Sequence, residues 1–194
     1  MQVISTGIDK QPQSFIDVAA PGPHYGDGSG VRGDIIGDTQ HHGGNDKAIY
    51  AYAREELDYW QSELSRPLAS GCFGENLTTQ GVDLSALLIN QRLRIGTAVL
   101  EVSVPRQPCS TFAGWLGERG WLKRWTARGD CGTYLRIISP GRIQPGDCIT
   151  MDAPPNHDIT MRIAFAAKMG NRTLAQRVIE AGCLPPHQNN SLRA

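Results

Sequence analysis

The sequence lacks the local patterns that mark most metal, nucleotide and disulfide sites. Its five cysteines include no CxxC pair, and their odd number argues against a disulfide scaffold or a thiolate zinc centre. There is no Walker loop, GxGxxG fingerprint or HExxH helix, so the standard nucleotide-binding and zinc-hydrolase classes have no local support. A metal site in this chain would therefore take few ligands from the protein.

Net charge and long apolar runs are lacking as well. Lysine plus arginine (19) equals aspartate plus glutamate (19), so net charge does not draw the chain to nucleic acid or to an anionic membrane surface. The N-terminus has no secretory pattern, and no stretch approaches the roughly 18 apolar residues of a membrane span. We expect a cytoplasmic protein that binds neither nucleic acid nor membrane.

Glycine is abundant, at 22 of 194 residues, and it falls mostly between short apolar runs. This pattern is typical of turns between strands and predicts a mainly β protein with added helices, of the α+β class. Strands are predicted at 2–8, 48–53, 87–95, 98–104, 132–139 and 148–152, with a turn at 141–146. Helices are predicted at 54–64, 120–125, 159–168 and 172–181. We divide the chain into a barrel domain, 1–153, and a short helical extension, 154–194, which frays at 185–190.

Cys109 follows two prolines, Pro105 and Pro108, in the connection after the strand predicted at 98–104. The prolines stiffen this connection and favour an exposed cysteine. Apolar residues then recur at helical spacing, so Cys109 should lie at a helix N-terminus. Partial positive charge there, together with Arg106, would favour the thiolate, which attacks electrophiles and binds metals. The alternative is a small buried thiol without chemistry.

A second polar cluster is rich in glycine. Gly43 and Gly44 would let backbone N–H groups approach a ligand closely, and Lys47 would supply a charge for a phosphate or another anion. His41 and His42 are adjacent and face opposite ways in an extended segment, so they do not readily chelate one ion together and one of them is the candidate. A solvated loop of turns is the alternative.

A third cluster is the turn at 71–79, which carries Glu75, Asn76 and Thr78. Asn76 and Thr78 could hydrogen-bond a polar heterocycle, and Glu75 could transfer a proton if its pKa were raised. The same residues could equally form a self-capping turn that enters a strand. Each of the three clusters is ambiguous when it is considered alone.

Together the clusters form an ordered set of motifs: Gly33-Asp34…His42-Gly43-Gly44…Lys47, then Phe73-Gly74-Glu75-Asn76-Leu77-Thr78, then Pro105-Arg106-Gln107-Pro108-Cys109. This set resembles the MOSC family, the domain found at the C-termini of molybdenum-cofactor sulfurases, and in particular its stand-alone YiiM-like type. The resemblance extends over residues 30–150 and is followed by a helical tail of the same type. It implies a β-barrel similar to the barrel domain of pyruvate kinase.

The resemblance also implies a molybdopterin-type molybdenum cofactor with Cys109 as the ligand to molybdenum. The candidates for pterin or phosphate contacts are His42, Gly43, Gly44, Lys47, Asn76, Thr78, Arg106 and Gln107. Stand-alone relatives reduce N-hydroxylated compounds, such as hydroxylaminopurines and hydroxylamines, to amines, so a molybdenum-dependent oxidoreductase is expected. His42 is the first candidate for the proton donor and Glu75 is the second.

The implied reductase needs an electron source outside this chain. The chain has no iron–sulfur cysteine spacing and no flavin fingerprint, so a separate reductase or ferredoxin-like partner is implied. The resemblance is also compatible with a homodimer. Two other functions also stay open: Cys109 could carry a persulfide as a sulfur carrier, or the chain could bind the cofactor without turnover.

Overall fold

The structure is a computed structural model that describes residues 7–193. Its strands are β1 (Ile16–Val18), β2 (Ile49–Ala53), β3 (Leu77–Thr79), β4 (Arg92–Ile95), β5 (Ala98–Val102), β6 (Thr133–Ser139), β7 (Gly141–Ile143) and β8 (Ile149–Met151). Its α-helices are α1 (Arg54–Leu64), α2 (Ser110–Leu116), α3 (Trp121–Arg128), α4 (Met161–Lys168), α5 (Arg172–Ala181) and α6 (Pro186–Asn190). A short 3-10 helix over Asn45–Lys47 precedes β2.

The main sheet has six strands in the order β3-β2-β6-β5-β4-β8. Only the β2–β3 pair is parallel among these pairings, and β1 and β7 form a separate antiparallel ribbon. The mixed sheet curls into a half-barrel, and the helices pack against it. The predicted class, mainly β with α, is confirmed.

Sequence pattern explains how the strands bury their side chains. β4 and β5 alternate buried and more exposed residues, so their apolar side chains face one core. All five residues of β2 are buried, because neighbouring strands and α1 cover it. The turn between β4 and β5 contains Gly96 with φ 57°, a conformation that glycine adopts without a steric penalty.

An aromatic cluster joins α1, α2 and α3 to the sheet. Trp60, Trp121 and Trp125 are almost completely buried, and the rings of Trp121 and Trp125 are stacked with 6.3 Å between their centroids. Phe112 contacts both Trp121 and Trp125 edge to face. The i, i+4 spacing of Trp121 and Trp125 on α3 thus places both rings in the core.

Helices α4 and α5 share the core of the half-barrel. The first turn of α4 is capped by Thr160, and that of α5 by Asn171, through their side-chain oxygens. Met161 and Phe165 are buried in the same apolar cluster as the strands. The Met161 N–H donates to the carbonyl oxygen of Leu87 at 2.8 Å, which fastens α4 to the barrel. The boundary at 153/154 stays a prediction.

Several predicted elements differ from the observed ones. The strand predicted at 2–8 lies outside the described residues except for its last two, which are not in a strand. The strand predicted at 87–95 shortens to β4, because a turn with Asn90 at φ 66° precedes it. The turn predicted at 141–146 begins with β7, and the segment expected to fray at 185–190 contains α6.

β1 and β3 were missed because three-residue strands carry too little alternation to detect. Among the described residues, none of the helices is long and apolar enough to cross a bilayer.

Candidate functional site

Cys109 is the N-cap residue of α2, as the sequence predicts. It has extended backbone angles, and its Sγ accepts a hydrogen bond from the N–H of Phe112 at 3.4 Å. The expected exposure is wrong, because the side chain is half-buried and packs against the apolar core. The neighbouring Gln107 is exposed, so its predicted cofactor contact stays a prediction. The thiol is thus held firmly by the fold and remains partly accessible.

Arg106 places a buried cation beside this cysteine. Its side chain is 6% exposed, and it donates to the carbonyl oxygen of Phe73. The guanidinium carbon lies 4.6 Å from the ring centroid of Tyr50 and 4.4 Å from that of Phe112. Burial alone would lower the pKa of Arg106, but the surrounding hydroxyls and the Cys109 thiol raise it. Arg106 is therefore charged, and its Nε has no hydrogen-bond partner in the part of the chain that the structure describes.

Lys47 supplies a second cation. Its Nζ donates to the carbonyl oxygen of His41 at 2.7 Å and lies 4.6 Å from the ring centroid of Tyr25. Burial lowers the pKa of Lys47, and nearby acidic groups, including the thiol of Cys109, oppose this effect. Within residues 7–193, neither Lys47 nor Arg106 has a carboxylate at ion-pair distance. Two desolvated cations without acidic partners favour the binding of an anion.

His42 is the histidine that faces this group. Its Nδ1 lies 3.3 Å from the hydroxyl of Tyr134, whereas the exposed His41 contacts Asp38. Burial, followed by the positive charges of Lys47 and Arg106, lowers the pKa of His42 to about 4. The imidazole is neutral at pH 7, and an anion beside it would raise that pKa.

The two glycines that follow His42 have a structural task in this fold. Gly43 and Gly44 are buried, with φ 81° and 74°, and the Gly44 N–H donates to the carbonyl oxygen of Gly28 at 3.0 Å. A Cβ added at Gly43 would come within 2.8 Å of the same carbonyl oxygen. These glycines let the loop at 24–28 pack directly against the His42 segment. A role for them in ligand binding stays a prediction.

The Glu75 carboxylate caps its own turn. It accepts hydrogen bonds from the N–H groups of Gly71 and Phe73, at 2.6 and 3.0 Å, and from the Thr78 hydroxyl at 3.0 Å. The residue is 2% exposed, and burial raises its pKa against the lowering effect of these bonds. The structure therefore has the self-capping turn, which was one of the two alternatives for this segment.

The side-chain amide of Asn76 also forms its hydrogen bonds within the fold. Its Oδ1 accepts from the N–H of Tyr50 at 3.0 Å, and its Nδ2 donates to Asp34 at 2.8 Å. Asn76 and Thr78 line a groove of about 1310 Å³ that also contains Lys10 and Cys148. Cys109, His42, Lys47 and Arg106 do not line this groove.

The predicted site residues therefore fall into two groups. Cys109, Arg106, Lys47 and His42 form one group, which we call the thiol site. The second group consists of Glu75, Asn76 and Thr78. The two groups meet where Arg106 donates to the carbonyl oxygen of Phe73.

Sequence reasoning missed three tyrosines at the thiol site, Tyr25, Tyr50 and Tyr134. Tyr50 and Tyr134 are register partners on β2 and β6, with ring centroids 5.2 Å apart. A tyrosine in an otherwise apolar strand needs a partner for its hydroxyl, and this was the available signal. Tyr25 lies in a loop of glycine and proline that gave no signal of its own.

The MOSC domain model matches residues 38–150, a range that includes Cys109, Arg106, Lys47 and His42. The chain belongs to the MOSC family. MOSC domains are associated in general with the molybdenum cofactor. Among residues 7–193, no cluster of three or more histidine, cysteine, aspartate or glutamate side chains could hold a metal ion by itself.

Similar proteins support the family and the fold. The uncharacterized protein YflK of Bacillus subtilis is 36% identical over 184 residues, which cover 93% of this chain and 80% of YflK. A protein of Gibberella moniliformis named reductase is 31% identical over 67% of this chain, a match that spans only 24% of that longer protein. The crystal structure of YiiM from Geobacillus stearothermophilus has 28% identity and a TM-score of 0.69, covering 77% of this chain and 78% of YiiM.

Proposed function

We propose that this MOSC protein binds the molybdenum cofactor at the thiol site and reduces N-hydroxylated compounds to amines. The observation that carries the proposal is the half-buried Cys109 thiol beside two cations, Arg106 and Lys47, that have no carboxylate partner among the described residues. A soft thiolate suits a metal whose other ligands are sulfur and oxo groups. The fungal relative named reductase is consistent with redox chemistry in this family.

The chemistry of the residues fits an anionic cofactor of this kind. Cys109 would hold the molybdenum, and Arg106 and Lys47 would balance the negative charge of the pterin-bearing group. The Nε of Arg106 is a buried donor that finds no acceptor within residues 7–193, and a bound anion would provide one. When bound, the cofactor would supply the two electrons of the reduction.

The reaction also consumes protons. Reduction of R–NHOH takes two electrons and two protons and gives R–NH2 and water. His42 is the proton donor that we propose, because its Nδ1 faces the hydroxyl of Tyr134 and its Nε2, on the other side of the ring, would then deliver a proton to the leaving oxygen. His42 is neutral at pH 7 when no anion is beside it, and the negative charge of the bound group would raise its pKa and let it carry a proton.

Glu75 is the second candidate for the proton donor, and its environment differs from that of His42. Its carboxylate is enclosed by three donors from its own turn. We infer that Glu75 is a positioning residue. It holds the turn whose Phe73 carbonyl oxygen accepts the hydrogen bond from Arg106, and so it fixes the place of the guanidinium. The electrons would come from a separate reductase or ferredoxin-like protein.

Viologen-driven reduction of a hydroxylaminopurine tests this function without the natural electron donor. The cofactor-loaded wild type should turn over, Cys109→Ala should not, and Cys148→Ser should keep the wild-type rate because Cys148 lies outside the thiol site. Cofactor-loaded wild type without turnover would contradict the reductase. A mass increase of one sulfur on Cys109 would then favour the sulfur carrier, and its absence would favour a cofactor-binding protein without catalysis.

A further inference from the structure

The C-terminal helix α6 reaches the edge of the thiol site through a single tyrosine. The hydroxyl of Tyr25 lies 3.0 Å from Nε2 of His187 and accepts a hydrogen bond from Nε2 of Gln188 at 2.9 Å. The rings of Tyr25 and His187 also meet edge to face, with 5.6 Å between their centroids. Tyr25 and α6 both lie outside the residues that the family model matches, 38–150. This contact is therefore a feature of the chain beyond its MOSC domain.

Helix α6 is itself fastened to the rest of the protein. Nζ of Lys168, in the last turn of α4, donates to the carbonyl oxygen of Gln188 and to the hydroxyl of Ser191, both at 2.6 Å. Burial, with a smaller contribution from the charge of Lys47, lowers the pKa of Lys168 to about 8. This fastening therefore holds Gln188, the residue that donates to the hydroxyl of Tyr25.

The loop that carries Tyr25 is held against the His42 segment. The N–H of Gly26 donates to the carbonyl oxygen of His42, and the N–H of Gly44 donates to the carbonyl oxygen of Gly28, both at 3.0 Å. The loop backbone is bonded to the His42 segment and the Tyr25 hydroxyl is bonded to α6, so the position of the Tyr25 ring is fixed. Its centroid lies 4.6 Å from Nζ of Lys47.

We propose that Tyr25, anchored by α6, is a positioning residue that holds the Lys47 ammonium toward Cys109. A lysine side chain has four rotatable bonds and would otherwise sample many positions in solvent. The Tyr25 ring and the carbonyl oxygen of His41 restrict it, and its Nζ also lies 5.6 Å from the ring centroid of Tyr134, whose hydroxyl contacts His42. This inference deepens the proposed function, since it rests on Lys47 as a cation of the thiol site.

The test measures the local charge at Cys109 in the metal-free protein, residues 1–194. Iodoacetate is negatively charged and iodoacetamide is neutral, so the ratio of their alkylation rates reports positive charge near a thiol. Rates at individual cysteines are read by peptide mass spectrometry, and the exposed Cys148 serves as the internal reference. The readout needs neither cofactor nor turnover, so its failure is distinct from failure of the reductase assay.

Lys47→Gln should lower the iodoacetate-to-iodoacetamide ratio at Cys109 about fivefold, the order of effect expected for one charge within a Debye length of a thiol near a protein surface. Tyr25→Leu, which removes the ring, should lower it at least about twofold. Tyr25→Phe keeps the ring but loses both bonds to α6, and should give an intermediate ratio. Tyr59→Leu is the matched control, because it removes a similar ring contact, 3.9 Å from Arg128, on α1.

Unchanged ratios in Tyr25→Leu and Tyr25→Phe would overturn the proposal, and so would an unchanged ratio in Lys47→Gln. A purely structural role for Tyr25 would lower the melting temperature without moving the ratio, and this result would also overturn it. The conservative Tyr25→Phe keeps the test decisive if Tyr25→Leu fails to fold.

Discussion

Replacing Glu75 by glutamine should destabilise the protein although the two side chains have the same shape. In the wild type, Oε1 accepts from Gly71 and Thr78, and Oε2 accepts from Phe73. A glutamine that keeps Oε1 in place turns its NH2 group toward the N–H of Phe73, so a buried donor loses its acceptor. We expect the free energy of unfolding to fall by about 1–3 kcal/mol, measured by urea denaturation at pH 7.

The matched control is Glu63→Gln, which changes an exposed carboxylate that lies 3.4 Å from Arg124. The free energy of unfolding of this variant should stay within about 0.5 kcal/mol of the wild type. Equal stabilities of Glu75→Gln and Glu63→Gln would refute the reasoning, because the turn would then not depend on the carboxylate. Since the Phe73 carbonyl receives Arg106, Glu75→Gln should also weaken cofactor retention.

Two further predictions concern stability. Because the pKa of His42 is lowered to about 4, protons bind preferentially to the unfolded chain, and stability should fall as the pH decreases from about 6.5 toward 4. His42→Gln should reduce the loss of stability between about pH 7 and pH 5 by about 1 kcal/mol, allowing for partial exposure, and equal losses in urea titrations would contradict the burial of this imidazole. Asn76→Ala leaves the N–H of Tyr50 without an acceptor and should cost about 1–3 kcal/mol, whereas the exposed Gln80→Ala should stay within about 0.5 kcal/mol.

The sequence predicted those parts of the fold that depend on local pattern. α1 and α5 match their predicted bounds because apolar spacing and terminal residues define them within one segment. The N-cap position of Cys109 was predictable for the same reason, since the prolines before it and the helical spacing after it are adjacent in the chain.

The surroundings of the thiol site could not be predicted from local pattern. Arg106 contacts the Phe73 carbonyl, 33 positions away, and Tyr25 contacts Gln188, 163 positions away. Such contacts depend on how strands and loops pack in three dimensions, and no spacing in the sequence encodes them. The role of Asn76 could not be predicted for the same reason. Its side-chain amide donates a hydrogen bond to Asp34, which lies 42 positions away in the sequence.

The measurement that tests the central claim most directly is the molybdenum content per chain. Wild type, Cys109→Ser and Cys148→Ser would be produced in a host that synthesises the cofactor and analysed by elemental mass spectrometry. We predict about one molybdenum per chain in the wild type and in Cys148→Ser, and less than about a tenth of that in Cys109→Ser. Wild-type protein without molybdenum, or full retention of the metal in Cys109→Ser, would contradict Cys109 as the ligand.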